Sequence, residues 1–345
     1  MINIKITVCG HSLINHRQHL LFSYMGKEEL AEVQCLAPSR WGSERCKSVI
    51  RYNYCIKCLE PLGRGMLTFG LRGLENYIQE FNPDVLYVME EPYTAFALHC
   101  TRIAKKYNIP MAIFTWENIV SRRFGGTEKD VIDSSSILVA GNEGAKQRLI
   151  HMGADEDKIS VCPQTGLSDR FKQLPDVDKT YDAAYFGRMV KEKGIEHIEN
   201  VVKELALNML WVGGRGDIIP SYGVYLGWID YLKLPEYYNK TKLFIHYPYA
   251  LNGYSEQFAY TLGEAMACGI PVVSSDNGSI HDVYKDAPII FAEEANEDSL
   301  CDAIEYAYEN NRENWVEAGI NWVRDNLSIP IIARRLTSIL QNDRK

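Results

Sequence analysis

Short runs of apolar residues alternate along the chain with longer segments in which apolar positions recur at helical spacing. The runs that read as strands lie at 3–8, 31–36, 85–89, 111–115, 135–139, 158–162, 182–186 and 243–246. Strands that alternate with helices in this way are typical of a parallel sheet covered on both faces. The pattern therefore predicts an α/β fold, in which ligands bind where the strands end.

A length of 345 residues exceeds one ordinary hydrophobic core and predicts two domains. Pro163 and Gly166 follow the last strand pattern of the first half, as expected for a linker between domains. We place an N-terminal domain at 1–165 and a C-terminal domain at 170–325.

Composition narrows the class of protein. Hydrophobic residues make up 46% of the chain and charged residues 24%, which is typical of a globular protein. We find no apolar run of transmembrane length and no cleavable signal pattern. Nine scattered cysteines favour reduced thiols and a cytoplasmic location, and the single CxxC of Cys55 and Cys58 lacks the second pair that a zinc site needs. We therefore expect no metal.

The net charge of −8 is unevenly distributed. Residues 39–73 hold seven basic residues against two acidic ones, interleaved with the aromatic residues Trp41, Tyr52, Tyr54 and Phe69. Such a segment can face an anionic membrane surface or an anionic acceptor, although a solvated basic face is the simpler interpretation. The charge is confined and no nucleic-acid motif accompanies it, so we expect no nucleic-acid partner.

The stretch from Ser255 to Val273 reads as a polar entry, a helix and a buried strand. If the helix starts near Phe258, its first N–H groups offer a phosphate site beside Glu256. On one helix Glu256 and Glu264 would lie about 12 Å apart along the axis, too far to share acid–base work on one bond. They could instead hold two ends of an elongated ligand, whereas ordinary solvated glutamates are the alternative.

A second candidate site follows the strand at 182–186. Gly187 and Arg188 come directly after this strand, and Lys193 follows five residues later. Arginine offers a planar fork of donors and lysine a mobile point charge, both suited to phosphate. An exposed basic turn is the alternative interpretation.

Polar residues also follow strands in the first half of the chain. They are His11 after the first strand, Glu90 and Glu91 after 85–89, and Glu117 and Asn118 after 111–115. Because the carboxyl ends of parallel strands share one edge of a sheet, these residues can face a ligand. Asn118 can alternatively cap the next helix, and Glu90 or Glu91 can be an ordinary residue at the start of a helix that Pro92 initiates.

The run from Glu256 to Val273 resembles the E-x7-E segment of glycosyltransferase family 4, the retaining nucleotide-sugar transferases of GT-B fold. Gly187-Arg188 with Lys193-Gly194 resembles the same family's diphosphate motif, and 115–118 and 163–167 resemble its strand end and interdomain hinge. The family usually has glycine where this chain has Ala259, and the loop at His11 lacks the family's paired glycines.

The resemblance implies a GT-B fold of two Rossmann-like domains that face each other across a cleft, with the helix at about 328–345 packed on the first domain. It implies that Arg188 and Lys193 hold the donor diphosphate, that Glu256 orients the sugar, and that Glu264 binds the ribose. The remaining donor-binding residues are expected to be Gly187, Gly227, Gln257, Phe258, Ala259 and Tyr260. On the acceptor or sugar side it places His11, Glu90, Glu91, Glu117 and Asn118.

The implied reaction is retaining transfer of a sugar from a nucleotide-diphosphate-sugar to a hydroxyl acceptor, without a cofactor or metal. UDP is favoured over GDP as the nucleotide. The acceptor would be a glycan, a lipid-linked molecule or another hydroxyl compound in the synthesis of cell-surface polysaccharide or glycoconjugate. We expect a monomer or homodimer in the cytoplasm, in peripheral contact with the inner membrane face through 39–73.

Three alternatives remain at this stage. A nucleotide-sugar 2-epimerase shares the GT-B architecture. A catalytically silent partner that binds nucleotide-sugar is suggested by Ala259 and by the missing N-terminal glycines. An NAD-dependent oxidoreductase is disfavoured, because the loop at 213–216 is not the G-x-G-x-x-G fingerprint.

Overall fold

A computed structural model describes residues 4–63, 65–120, 125–214, 216–310 and 312–341. They divide into two compact units. Unit 1 comprises the described residues up to Gly166 and those from Ile329 onward, and unit 2 comprises those from Leu167 to Ser328. The sequence-based boundaries were 1–165 and 170–325, with the last helix assigned to the first domain.

The strands are β1 (Lys5–Cys9), β2 (Glu32–Pro38), β3 (Arg40–Trp41), β4 (Glu44–Arg45), β5 (Val49–Arg51), β6 (Tyr54–Leu59), β7 (Pro61–Leu62), β8 (Gly70–Leu71), β9 (Val85–Val88), β10 (Met111–Thr115), β11 (Ile137–Ala140), β12 (Ile159–Val161), β13 (Tyr181–Phe186), β14 (Met209–Val212), β15 (Val224–Tyr225), β16 (Thr241–His246), β17 (Val272–Ser275) and β18 (Ile289–Ala292).

The α-helices are α1 (His16–Lys27), α2 (Leu74–Phe81), α3 (Ala95–Tyr107), α4 (Gly126–Ser134), α5 (Glu143–His151), α6 (Ile195–Glu204), α7 (Leu234–Asn239), α8 (Tyr260–Ala267), α9 (Ile280–Val283), α10 (Glu297–Glu309), α11 (Arg312–Asn326) and α12 (Ile329–Gln341). None of these helices, within the described ranges, is long and apolar enough to span a bilayer.

Unit 1 is built on a sheet in the order β12-β11-β10-β9-β1-β2-β6-β5. All neighbours in it are parallel except β5 and β6. Its central strands are buried along their whole length, because helices cover both faces. The strand order reverses between β1 and β9, so the loops after these two strands flank the point where such sheets bind ligands.

Alternate residues of the central strands supply two separate hydrophobic cores in unit 1. Val8 and Tyr87 face the core that contains Leu21 and Phe22 of α1. The apolar face of the C-terminal helix α12 completes this core through Ile332, Ala333, Leu336 and Leu340. The C-terminal helix therefore belongs to unit 1 although unit 2 precedes it in sequence.

The basic segment 39–73 forms short antiparallel strand pairs, and its strand β6 also joins the parallel sheet beside β2. β3 pairs with β4, β5 with β6, and β7 with β8. Of its four aromatic residues, Tyr52 is exposed, whereas Tyr54 and Phe69 are buried. The expected interleaving of basic and aromatic groups on one surface is therefore wrong for Tyr54 and Phe69. Arg64, which was counted in this segment, lies outside the described residues.

Unit 2 is built on a parallel sheet in the order β15-β14-β13-β16-β17-β18. Its strand order reverses between β13 and β16, so the loops after Phe186 and His246 flank the switch point of this unit. Most predicted strands match observed ones to within a few residues. The edge strand β15 has only two residues and ends at Tyr225.

Candidate active site

The loops that follow β13 and β14 in unit 2 touch through their backbones. Gly213 has φ of 139°, and a Cβ atom there would lie 1.7 Å from the carbonyl oxygen of Gly187. Its N–H donates to the carbonyl of Gly227, at 2.8 Å, and Gly227 itself has a left-handed φ of 67°. Glycine at 213 therefore allows three strand-end loops to meet, which brings the predicted residues Gly187 and Gly227 to one edge of the sheet.

A buried charged cluster lies at the switch point of unit 2. Lys193 forms an ion pair with Glu256, and Lys193 Nζ lies over the Tyr254 ring, 5.2 Å from its centroid. His246 Nε2 lies 3.3 Å from Glu256 Oε2, and the Tyr254 hydroxyl donates to the same oxygen at 3.2 Å. Lys193 and Glu256 come from the two motifs that the sequence singled out, 63 residues apart.

The cluster holds one positive and one negative charge at neutral pH. Burial alone would raise the pKa of Glu256, but Lys193 and His246 outweigh it and hold this pKa far below its usual range. Burial alone would lower the pKa of Lys193, but the charge of Glu256 outweighs it and raises this pKa. Burial lowers the pKa of His246, so its imidazole is neutral. Because the charges of Lys193 and Glu256 cancel, the positive charge that would attract an anionic ligand must come from a neighbouring side chain.

Arg188 is the neighbouring cation. It follows Gly187 directly at the end of β13, and 52% of its side chain is exposed. Its nearest carboxylate contact is Glu192, at 4.0 Å from Nη2 to Oε1, which is too long for a hydrogen bond. The Arg188 guanidinium therefore retains donors that an anionic ligand can use.

The backbone of Glu256 is held by the segment Asn277-Gly278-Ser279. The N–H of Glu256 donates to Asn277 Oδ1 at 2.8 Å, and the carbonyl of Glu256 accepts from the N–H of Ser279 at 2.8 Å. Gly278 has φ of 65°, and a Cβ atom there would lie 2.3 Å from the Glu256 carbonyl oxygen. These contacts fix the backbone of Glu256.

The helix expected to carry both glutamates begins later than predicted. α8 starts at Tyr260, with Ala259 as its N-cap residue, so Glu256 lies in the loop before it and Glu264 within it. The delay follows from the hold that Asn277 and Ser279 have on the Glu256 backbone. Both glutamates are nevertheless buried, with 7% and 3% exposure, so the interpretation of solvated helix residues is wrong.

The position before α8 does not require the conformational freedom of glycine. Ala259 has φ of −47°, outside the left-handed region that favours glycine. Its carbonyl accepts a hydrogen bond from the Tyr284 hydroxyl at 2.6 Å. Phe258 is buried beside it, and the ring of Phe258 lies 4.3 Å from that of Tyr260. The neighbouring Gln257 is half-buried, and its N–H donates to Glu256 Oε1 at 3.3 Å.

Glu264 is positioned by a tyrosine of another helix. The hydroxyl of Tyr238 on α7 donates to Glu264 Oε2 at 2.9 Å. Tyr238 is fully buried, and its ring packs on Phe186, with ring centroids 4.2 Å apart. This contact joins Glu264 to the end of β13, directly before Gly187.

In unit 1 the structure brings together two predicted residues that are 79 positions apart. His11 Nδ1 lies 2.6 Å from Glu90 Oε1 and 2.8 Å from Oε2, and the backbone N–H of His11 also donates to Glu90. They follow β1 and β9, the strands that flank the switch point of this sheet. The His11 ring also contacts Trp41 and Phe69. A carboxylate on Nδ1 fixes the ring and orients Nε2 for another partner.

Glu91 faces the next strand end rather than His11. Its Oε2 accepts from the Thr115 hydroxyl at 2.6 Å and its Oε1 from the Trp116 N–H at 2.8 Å. Burial raises the pKa of the Glu91 carboxyl to about 7. Pro92 does not start a helix, since α3 begins at Ala95 with Thr94 as its cap.

Glu117 and Asn118 lie beyond the end of β10. Glu117 is buried, and its Oε1 accepts from the N–H of Ile119 at 3.2 Å. Asn118 is half-buried and does not cap a helix, because α4 begins at Gly126 after the N-cap residue Gly125. The alternative interpretation, that Asn118 caps the next helix, is therefore wrong.

The sequence patterns do not single out several residues of these clusters. Nothing in the sequence indicates that His246 and Tyr254 lie beside Glu256. Tyr238 had no assigned role. Within the described residues, no group of three or more His, Cys, Asp or Glu side chains is arranged to hold a metal ion.

Residues 168–322 match the family model described as glycosyl transferases group 1. The match covers nearly all of unit 2. The lipopolysaccharide 1,6-galactosyltransferase of Escherichia coli (strain K12) is 25% identical over 225 residues, which are 60% of this chain and 60% of that protein. The chain thus spans less than two thirds of the length of this relative.

Solved structures resemble the whole chain in fold. A glycosyltransferase from Rickettsia africae ESF-5 has a TM-score of 0.76 at 16% identity, covering 99% of this chain and 98% of that one. Anabaena HepE in complex with UDP has a TM-score of 0.74 at 12% identity, covering 97% and 99%. The predicted GT-B fold class of two Rossmann-like domains is confirmed, and the finer assignment to family 4 stays a prediction.

Proposed function

We propose that the chain is a retaining glycosyltransferase that moves a sugar from a nucleotide-diphosphate-sugar to a hydroxyl acceptor in cell-surface polysaccharide or glycoconjugate synthesis. The observation that carries the proposal is the buried Lys193–Glu256 pair at the switch point of unit 2, which matches the glycosyl transferases group 1 model. In sequence, Lys193 comes five residues after Arg188, and Glu256 comes four residues before the start of α8.

Arg188 is the main cation for the diphosphate in this proposal. The charge of Lys193 is compensated by Glu256, whereas Arg188 is half-exposed and only weakly paired. A lysine ammonium has three donors, so Lys193 can keep its bond to Glu256 and donate another to a phosphate oxygen. With the N–H groups of 258–260 they would stabilise the charge that develops on the leaving diphosphate.

Glu256 and Glu264 would contact the two ends of the donor. Glu256 would accept hydrogen bonds from sugar hydroxyls, because its low pKa keeps it ionised. Glu264, held by Tyr238, would accept from the ribose. Gly227 would leave its main chain open to the nucleobase. The HepE structure that resembles this chain is a complex with UDP, which supports UDP over GDP as the donor nucleotide.

The reaction would proceed by positioning and charge stabilisation rather than through a protein nucleophile. In a retaining transfer of this kind the leaving diphosphate helps to remove the acceptor proton. The acceptor hydroxyl would lie near the strand ends of unit 1, where His11, Glu90, Glu91, Glu117 and Asn118 are found. We place the reaction in the cytoplasm, at the inner face of the membrane.

One observation favours a second mechanism. His11 is held by Glu90 through Nδ1, which is the arrangement of a histidine that accepts a proton through Nε2. If His11 removed the acceptor proton for direct displacement, the sugar would arrive with inverted configuration. The anomeric configuration of the product, read by proton NMR, separates the two mechanisms.

The donor is tested first by a thermal-shift panel of UDP, GDP and their hexose conjugates. A bound ligand at about 100 times its Kd adds roughly 2.7 kcal/mol of stability, which we expect to raise the Tm by several degrees for one nucleotide family. If no nucleotide or nucleotide-sugar raises the Tm, the proposed function is wrong.

Turnover then separates the proposal from its alternatives. Donor loss that requires an added acceptor indicates transfer. Conversion of the donor sugar without an acceptor would instead indicate a nucleotide-sugar 2-epimerase. Tight binding with neither transfer nor donor hydrolysis would indicate a catalytically silent binding partner.

A further inference from the structure

Unit 1 contains a cavity of about 410 Å³ between α1 and the hairpin formed by β5 and β6. We refer to it as the hairpin cavity. Its volume lies in the range of sites that bind small molecules. The residues Glu256, Lys193 and Arg188 of the candidate donor site belong to unit 2, so the hairpin cavity needs a separate explanation.

The mouth of the hairpin cavity is cationic. Arg45, Lys47 and Arg51 line it and are exposed, and His16 at the start of α1 lines it as well. No carboxylate is present among its lining residues in the described part of the chain. This composition is opposite in sign to the chain as a whole, whose net charge is −8. An anionic group is therefore the chemical complement of the mouth.

The floor of the hairpin cavity is apolar. Ile14 and Ile56 line it and are buried, and Leu20 and Val49 line it and are half-buried. Val49 and Arg51 are two residues apart on β5, so their side chains share the face of the strand that borders the cavity. A ligand that places an anion at the mouth would thus place any attached chain against these apolar side chains.

The hydroxyl of Tyr54 is a further polar group at the cavity. Tyr54 is 4% exposed and lines the cavity. Its hydroxyl has no oxygen or nitrogen partner among the described residues and is paired only with the Cys35 thiol. A thiol is a weak hydrogen-bond partner, so an oxygen of a ligand that entered the cavity would be a better one.

The mouth of the cavity is also partly fixed before any ligand arrives. The Nη1 atom of Arg45 donates to the carbonyls of Gly42 and Glu44, at 3.0 and 2.9 Å. These bonds hold the guanidinium at the edge of the β3–β4 pair while its other N–H groups can still donate. Such preorganisation reduces the entropy that binding has to offset.

We propose that the hairpin cavity binds an anionic amphiphile, with a phosphate-bearing head at Arg45, Lys47 and Arg51 and the start of an apolar chain at Ile14, Leu20, Val49 and Ile56. This assignment rests on the proposed function and narrows it, because the amphiphile would be the lipid anchor of the acceptor. A volume of about 410 Å³ holds the head and the first methylenes of a chain. The rest of the chain would remain in the membrane.

The ligand class is tested with short-chain lipids below their micelle concentration. Calorimetry compares dihexanoyl phosphatidylglycerol with dihexanoyl phosphatidylcholine, which has the same chains and no net charge, and with glycerol phosphate and inorganic phosphate, which have no chains. We expect the anionic lipid to bind at least tenfold more tightly than each of the others. Equal affinity for either phosphate would show a simple anion site, and equal affinity for the choline lipid would show that the cations contribute nothing. Either result, or no binding of the anionic lipid, overturns the proposal.

The location is tested with variants of exposed or half-buried residues. The double variant Lys47→Glu and Arg51→Glu, and separately Val49→Asn, should each weaken binding of the anionic lipid at least tenfold. Lys57→Glu is the matched control, because Lys57 lies on β6 but does not line the cavity. An equal loss in Lys57→Glu would show general surface electrostatics and would overturn the location.

A parallel measurement keeps the two proposals separate. The nucleotide thermal-shift panel is run on the same wild-type preparation. Lipid binding without any nucleotide response would remove the proposed function and leave the hairpin cavity as a lipid site. A nucleotide response without lipid binding would leave the proposed function in place and remove the hairpin cavity as a lipid site.

Discussion

The hydroxyl of Tyr238 lies 2.9 Å from Oε2 of Glu264, and the two residues come from different helices of unit 2. Burial, followed by the charge of Glu264, raises the pKa of the Tyr238 phenol well above its ordinary value, so the hydroxyl stays protonated and can only donate to the carboxylate. The Glu264 carboxylate is thereby held in a fixed position by a tyrosine whose ring packs on Phe186, the last residue of β13.

Tyr238→Phe should weaken binding of the donor nucleotide. The variant keeps the aromatic packing on Phe186 but removes the donor that orients Glu264. We expect the Kd for the nucleotide identified by thermal shift to rise about tenfold, or about 1.4 kcal/mol. Glu264→Gln should weaken binding by at least as much, because it removes the charged acceptor for the ribose hydroxyls. Isothermal titration calorimetry measures both.

Tyr237→Phe is the control for this experiment. Tyr237 is the preceding residue of α7, is half-buried, and contacts Lys240 rather than Glu264. Its Kd should remain that of the wild type. An unchanged Kd in both Tyr238→Phe and Glu264→Gln would contradict the ribose role.

Arg188→Ala should reduce kcat/KM far more than it reduces stability. Arg188 is half-exposed and has only a 4.0 Å contact to Glu192, so little folded structure depends on it. If it stabilises the charge on the leaving diphosphate, its loss should lower kcat/KM roughly 100- to 1000-fold. Steady-state transfer rates and the Tm of the same preparation test this.

The matched control is Lys191→Ala, which removes an exposed cation three residues away. Lys191 pairs loosely with Glu196, at 3.7 Å, and has no assigned ligand contact. A decrease of similar size in both variants would assign the effect to general electrostatics. Wild-type kcat/KM in Arg188→Ala would remove Arg188 from the diphosphate site.

Glu256→Gln should destabilise the chain at neutral pH and change its acid sensitivity. The folded-state pKa of Glu256 is lowered, so its contribution to stability is present above the unfolded pKa of about 4.5 and is lost as the pH falls through the folded value. Removing this charge leaves buried Lys193 without its counter-ion, which typically costs 3–5 kcal/mol. The Tm difference from wild type should be constant between about pH 6 and 8 and should shrink at acid pH.

Thermal unfolding across this pH range checks the sign. Glu192→Gln is the control, because Glu192 is less buried than Glu256 and makes only a 4.0 Å contact with Arg188. A Tm difference for Glu256→Gln that stayed constant down to about pH 3 would show that the pair contributes nothing through ionisation. The same measurement on Lys193→Met should show a comparable loss at neutral pH.

The sequence predicted the positions of the strands well, because a short, fully apolar run in an α/β protein has few interpretations other than a buried strand. Strand β10 was predicted at its observed bounds, Met111–Thr115, since it is buried on both faces and ends at polar residues. Once the strands were located, the polar residues directly after them could be predicted as site residues, because ligands bind where parallel strands end. Their partners could not be selected: His11 and Glu90 are 79 residues apart, and only the pairing of β1 with β9 brings them together.

Local signals failed where long-range contacts decide the backbone. Nothing near Glu256 in sequence shows that Asn277 and Ser279 hold its main chain, so the start of α8 was placed too early. The pairing of β3 with β4 and of β7 with β8 was missed as well, because strands of two residues carry almost no periodicity. The hairpin cavity depends on the pairing of β5 with β6 and has no sequence signature of its own.

Glu91→Gln should change how stability depends on pH in the opposite direction to Glu256→Gln. Burial raises the pKa of Glu91 to about 7, against an ordinary value near 4.5, so the folded state favours the protonated carboxyl. Its contribution is therefore fully present below about pH 4.5 and is lost as the pH rises through 7. Glutamine cannot ionise and can still meet the Thr115 hydroxyl and the Trp116 N–H. We expect the variant to match wild type near pH 4.5 and to be more stable at pH 8, by about 1–3 kcal/mol.

Thermal unfolding at the two pH values measures this difference in stability. Glu80→Gln, on the exposed end of α2, is the control. If Glu91→Gln were less stable than wild type by the same amount at both pH values, the Glu91 carboxylate would have only a structural role.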